Sequence, residues 1–89
     1  MFEITDNELN ELREKYIGQF MVVEALADKL PRLWVAMKVV ERDPDDNLIV
    51  LSGRILEIVK DGEARQLRSK YRGNRDVYVL RTTCEMNVG

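Results

Sequence analysis

Two groups of side chains in this 89-residue sequence have the types and spacing to do chemistry. The first is an acidic knot, Asp43-Pro44-Asp45-Asp46-Asn47, whose carboxylates are hard oxygen donors of the kind that hold a divalent cation. The second is a basic strip in which Lys60, Arg65, Arg68, Lys70, Arg72 and Arg75 meet only Asp61 and Glu63, a pattern suited to a specific anionic contact. There is no His and only one cysteine, Cys84. Zinc sites, Cys–His pairs and Ser–His–Asp triads are therefore excluded, as is an internal disulfide. No nucleophile, His or Gly-rich phosphate loop accompanies the three aspartates, so the knot reads as a turn and the chain as a non-enzymatic protein without a cofactor.

Composition sets the setting. A hydrophobic share of 45% beside 34% charged residues is that of one globular domain spanning 1–89. No apolar run is long enough to cross a membrane, and Met1–Asn10 does not read as a signal peptide. A lone cysteine fits a reducing compartment, cytoplasm or nucleus. The net charge of −2 conceals a division: residues 1–46 carry 11 acids against 6 bases, and residues 47–89 carry 5 acids against 8 bases.

The elements that must position these groups centre on a hairpin. The runs Leu33–Val40 and Leu48–Leu56 are rich in β-branched and large apolar residues, and the acidic knot lies between them. Both arms are apolar at nearly every position, which implies strands covered on both faces, in a small closed barrel or beneath a helix. Gly53 is a candidate bulge on the second arm. Upstream, Thr5 and Glu8 form a capping box with Ile4 and Leu9 as its staple, and Leu9, Leu12, Tyr16 and Ile17 make one apolar stripe ended by Gly18. This predicts a helix over 6–17. Phe20–Val23 favour a strand over 19–26, although Glu24–Leu30 alone would suit a helix, and Pro31 stops whatever precedes it.

Residues 63–71 satisfy two patterns. As a helix they align Ala64, Leu67 and Tyr71 inward and Arg65, Arg68 and Arg72 as a basic stripe. As a strand they place Leu67, Ser69 and Tyr71 on one face, and propensity favours the helix slightly. Arg72-Gly73-Asn74 is a turn, Val77–Thr83 a strand, and Glu85–Gly89 a fraying end.

Two of the joints resemble motifs of the Sm/LSm family. Asp43-Pro-Asp-Asp-Asn47 followed by Leu48-Ile-Val-Leu51 is similar to the turn and third strand of the first motif, with Glu57 where an acid often follows. Tyr71-Arg-Gly-Asn74 followed by Val77-Tyr-Val-Leu80 is similar to the second, with about one extra residue. The resemblance implies a mainly β fold, an N-terminal α-helix followed by a strongly bent five-stranded antiparallel Sm-like (SH3-like) barrel. Its strands would span 19–26, 33–42, 47–59, 63–71 and 76–83, so that 63–71 becomes the fourth strand against its local preference. The resemblance further implies assembly with other Sm-like proteins by strand pairing, as a homo- or hetero-oligomer, through Leu67, Tyr71, Val77, Tyr78, Val79 and Leu80. It places the chain among subunits of complexes in RNA metabolism, in snRNP assembly and pre-mRNA splicing. The Asp43-Pro44 turn followed by Ile49-Val-Leu51, and the helix end Leu12-Arg-Glu-Lys-Tyr16, are locally similar to the Sm-like Gemin subunits of the survival-of-motor-neuron complex. If the family's RNA site is retained, Asn47, Arg72, Gly73 and Asn74 would form a base pocket, with Arg68 and Lys70 on phosphates. The alternative is then an RNA-binding LSm ring protein that contacts U-rich RNA at its pore. Asp45, however, stands where the family places a stacking aromatic or His, and a carboxylate offers no stacking face and repels phosphate.

Overall fold

The computed structural model describes residues 5–30 and 32–82. Ile4, Pro31, Thr83, Cys84 and the 85–89 tail, each given a role above, lie outside the described residues.

The first helix, α1 (Asp6–Tyr16), starts where its local signals put it. The Glu8 amide donates to Thr5 Oγ1 at 3.2 Å and the Thr5 amide donates to Glu8 Oε1 at 3.1 Å, closing the capping box. Gly18, at φ +89°, turns the chain out of the helix. A short strand, β1 (Phe20–Val22), follows and passes directly into a second helix, α2 (Val23–Lys29). The strand expected over 19–26 is thus only its first part. Helix propensity in Glu24–Lys29 prevails from Val23 onward because Leu26 finds a fully buried place on that helix.

The hairpin forms as expected, from β2 (Trp34–Arg42) and β3 (Val50–Val59). Its register shifts at three places, which adds twist. Gly53 lies opposite one of these, and a Cβ there would stand 2.4 Å from the Lys38 carbonyl oxygen. The two backbones approach so closely that only glycine fits.

The largest departure comes next. Asp61–Glu63 make a 3-10 turn and Ala64–Lys70 form a helix, α3, in place of the strand expected over 63–71. The local pattern decides the outcome, since as a helix the segment buries Ala64 and Leu67 together. The last strand, β4 (Val77–Arg81), pairs antiparallel with β2. Among the described residues the sheet therefore has four strands in the order β1-β3-β2-β4, not five, and no β1–β4 pairing closes it. The chain is mainly β, with a four-stranded antiparallel sheet and an N-terminal helix.

Helices cover both faces of the hairpin. On one face α1 and α2 pack Leu9, Leu26 and Leu30 onto Met21, Val35, Met37, Ile55 and Ile58. On the other, Leu67 of α3 packs on Ala36 and Val59, with Trp34, Leu56, Tyr71, Val77 and Val79 around them. The buried Thr82 hydroxyl fastens the end of β4 to the loop before β2: it accepts the Leu33 amide at 3.1 Å and donates to the Leu30 carbonyl. No helix among the described residues is long and apolar enough to cross a membrane.

Candidate functional site

The two edges of the sheet are treated differently. At the β3 side, β1 pairs only Phe20–Val22 with Ser52–Arg54. Beyond it the Gln19 carbonyl accepts the Ile55 amide at 3.0 Å, and Arg13 of α1 donates through Nε to the Ile58 carbonyl at 2.8 Å. That edge strand is short, and a charged side chain occupies β3 beyond it.

Among the described residues no strand pairs with the outer side of β4. Val39 donates to the Asp76 carbonyl and Thr82 donates to the Leu33 carbonyl, each at 2.8 Å. Bonded pairs alternate along an antiparallel ladder, so Tyr78 and Leu80 bond inward to β2. The backbone groups of Val77 and Val79 then point away from it; the Val77 amide turns to the Asn74 carbonyl at 3.3 Å, and no described strand takes up the Val79 amide or the Val77 and Val79 carbonyls. Val77–Leu80 carries neither charge nor proline, the usual guards of an exposed edge. Of the residues expected at a partner interface, Val77, Tyr78, Val79 and Leu80 lie along this edge. Leu67 and Tyr71 do not: Leu67 is buried under α3, and Tyr71 caps that helix with its hydroxyl on Glu57.

The expected RNA pocket is divided in two. Asn47 and Asn74 do come together, lining a depression of about 680 Å3 with Arg42, Leu48, Arg75 and Tyr78. Their polar groups are partly engaged there, since Asn47 accepts Arg42 Nη1 on its carbonyl at 2.9 Å and Asn74 Oδ1 accepts the Asp76 amide at 2.9 Å. Arg68 and Arg72 instead line a separate groove with Arg65 and Ser69. Gly73 lies in the turn between the two hollows. Lys70 is held 2.6 Å from Glu57.

The acidic knot has a structural task. Asp43 Oδ1 accepts the Asp45 amide at 2.7 Å and Asp46 Oδ1 accepts the Leu48 amide at 3.0 Å, so two of the three carboxylates fold the turn. Among the described residues no group of three or more potential ligands is placed to hold a metal ion.

At the far end of the sheet stands a network the sequence did not single out. Asp61 accepts Trp34 Nε1 at 2.8 Å and Arg81 Nε at 2.9 Å. The Arg81 contact holds the Asp61 carboxyl below its ordinary range, against a smaller opposing effect of burial. Arg68 lies over the anchored Trp34 ring, 5.7 Å from its centre. Of its members the helical alternative for 63–71 points only to Arg68.

No protein-family model, curated protein or solved structure matches this chain.

Proposed function

We propose that this chain is a non-enzymatic subunit that joins a partner protein by strand pairing along β4. The observation that carries this reading is the outward Val79 amide and the Val77 and Val79 carbonyls, set in the uncharged stretch Val77–Leu80, while the opposite edge strand is only the three residues of β1 with Arg13 covering β3 beyond it. An added strand satisfies those groups, and the half-buried side chains of Val77–Leu80 select what pairs with them. The helices on both faces hold β4 in place without covering its rim.

A narrower version makes the partners other Sm-like proteins and the setting snRNP assembly or splicing. It is supported by the two turn motifs, whose asparagines Asn47 and Asn74 share one hollow. The helix over Ala64–Lys70 weighs against it, because it removes the fourth strand through which such proteins pair.

The test is native mass spectrometry of the protein purified from its source cells, beside two edge variants. Val79→Pro removes an outward amide that β2 does not use, and Val77→Lys places a guard charge at the start of the edge. A complex of fixed stoichiometry in the wild type, lost in both variants while circular dichroism is unchanged, is the expected result. A complex that survives both substitutions, or a protein that stays monomeric in its source cells, overturns the reading.

A further inference from the structure

We infer that the outward face of α3 is a binding site for the phosphate backbone of a single-stranded nucleic acid. The inference is independent of strand pairing at β4. Arg65, Arg68 and Arg72 stand at i, i+3 and i+7, so they share one face of the helix and its C-terminal turn, rising about 10 Å along the axis from first to last. With Ser69 they line a groove of about 490 Å3.

What distinguishes this face from an ordinary solvated one is the disposition of the nearby acids. Glu57 is paired with Lys70 at 2.6 Å, Asp61 with Arg81 at 2.9 Å, and Glu63 with Arg13 at 3.8 Å. Each carboxylate next to the helix has its own cation. Among the described residues none of the three groove arginines forms an ion pair. In a chain of net charge −2, three uncompensated guanidinium groups around one hollow make a local anion site rather than a general basic coat.

The central cation is also pre-positioned. Arg68 stacks over Trp34, whose Nε1 is held by Asp61, which Arg81 holds in turn. Less side-chain freedom is lost when such a group binds phosphate, and its planar fork can engage two oxygens together.

The geometry selects among polyanions. A row of three cations suits a ligand with a repeating charge rather than a single small anion. A lipid surface is disfavoured because interfacial helices lie with an apolar face in the bilayer, and the apolar face of α3 is buried on the sheet through Ala64 and Leu67. The large exposed apolar side chains, among them Phe20, Val22, Leu48 and Ile49, belong to β1 and the hairpin tip instead. A nucleic-acid single strand carries such a repeating charge, and it is recognised by charge with little regard to sequence.

Fluorescence anisotropy of the full chain with labelled oligo(U) and oligo(dT) 12-mers tests this. Three phosphate contacts predict a log–log salt slope of about −2 for a single strand. The Arg65→Ala/Arg68→Ala/Arg72→Ala variant is expected to lose at least tenfold in affinity with a slope near zero, and to keep the wild-type melting curve. Arg68→Lys, which keeps the charge but not the fork, should fall between. Failure of the wild type to bind either oligomer overturns the inference, as does binding that the triple variant retains. Tighter binding to phosphatidylserine vesicles or to a phosphopeptide than to the oligomers overturns it equally.

Discussion

The Tyr71 hydroxyl donates to Glu57 Oε2 at 2.7 Å, and this bond joins the C-cap of α3 to the C-terminal part of β3. A seven-residue helix has too few internal bonds to persist alone, so its attachments decide whether it forms. Leu67 supplies the apolar attachment and Tyr71 the polar one. The Tyr71 ring also borders the Ala36–Val59–Leu67 cluster, so both attachments lie at one seam.

Replacing Tyr71 by Phe keeps the ring and removes the bond. The site is partly exposed and Lys70 still neutralises Glu57, so the expected cost is about 1 kcal/mol in urea unfolding. Leu67→Ala opens a cavity in a fully packed place and should cost about 2–4 kcal/mol, with loss of helical circular dichroism from α3. A smaller loss for Leu67→Ala than for Tyr71→Phe would show that α3 is not held by its apolar face.

Acid should weaken the fold before base does. Burial alone would raise the Glu57 carboxyl, but the bonds from Lys70 and Tyr71 outweigh it and hold the group below its ordinary 4.5. Asp6, bonded to Lys60 at 2.8 Å, and Asp61, bonded to Arg81, lie below 3.8. A carboxyl lowered by folding contributes stability above its unfolded value and loses it as pH falls through the folded one. Lys70 and Tyr71 are raised by Glu57 from 10.5 and 10.0, so their contribution is present below those values and is lost as pH climbs beyond them. The urea midpoint should therefore be flat between about pH 5 and 9 and decline below about pH 4.5. Glu57→Gln should flatten the acid limb.

Gly53→Ala tests the close approach of β2 and β3. A methyl 2.4 Å from a backbone oxygen cannot be accommodated by moving a flexible side chain, so the strands must part. The expected loss is at least about 2 kcal/mol, compared with a few tenths for Gly62→Ala, where a Cβ meets nothing within 4 Å.

Ser52 points the other way. Its hydroxyl is buried with no hydrogen-bond partner among the described residues. Ser52→Ala should raise stability by about 1 kcal/mol, because it removes the desolvation cost of an unmet polar group. A destabilised alanine variant would show that the hydroxyl has a partner after all.

How much of this was legible depends on where the deciding forces act. The capping box at Thr5 and Glu8, the hairpin around Asp43–Asn47 and the strand from Val77 are written in neighbouring residues, and each formed close to its expected bounds. Covering of the hairpin on both faces also followed from its unbroken apolar arms, by helices rather than by barrel closure. At 63–71 the resemblance at the flanking turns points to a strand and the local pattern to a helix, and the local pattern prevails. The inward Ala64, Leu67 and Tyr71 and the outward arginine stripe were both in view. The Trp34–Asp61–Arg81 chain and the Arg13 contact to Ile58 were not legible, since they join residues far apart in sequence through geometry alone.

The arginine lodged against the carbonyl of Ile58 has a consequence for how large any edge-joined assembly can become. A sheet with two available rims can add copies without end, and that is the route to a filament. Here Arg13 occupies the Ile58 carbonyl, so a strand added on that side has only the three residues of β1 to pair with, and growth from it is disfavoured.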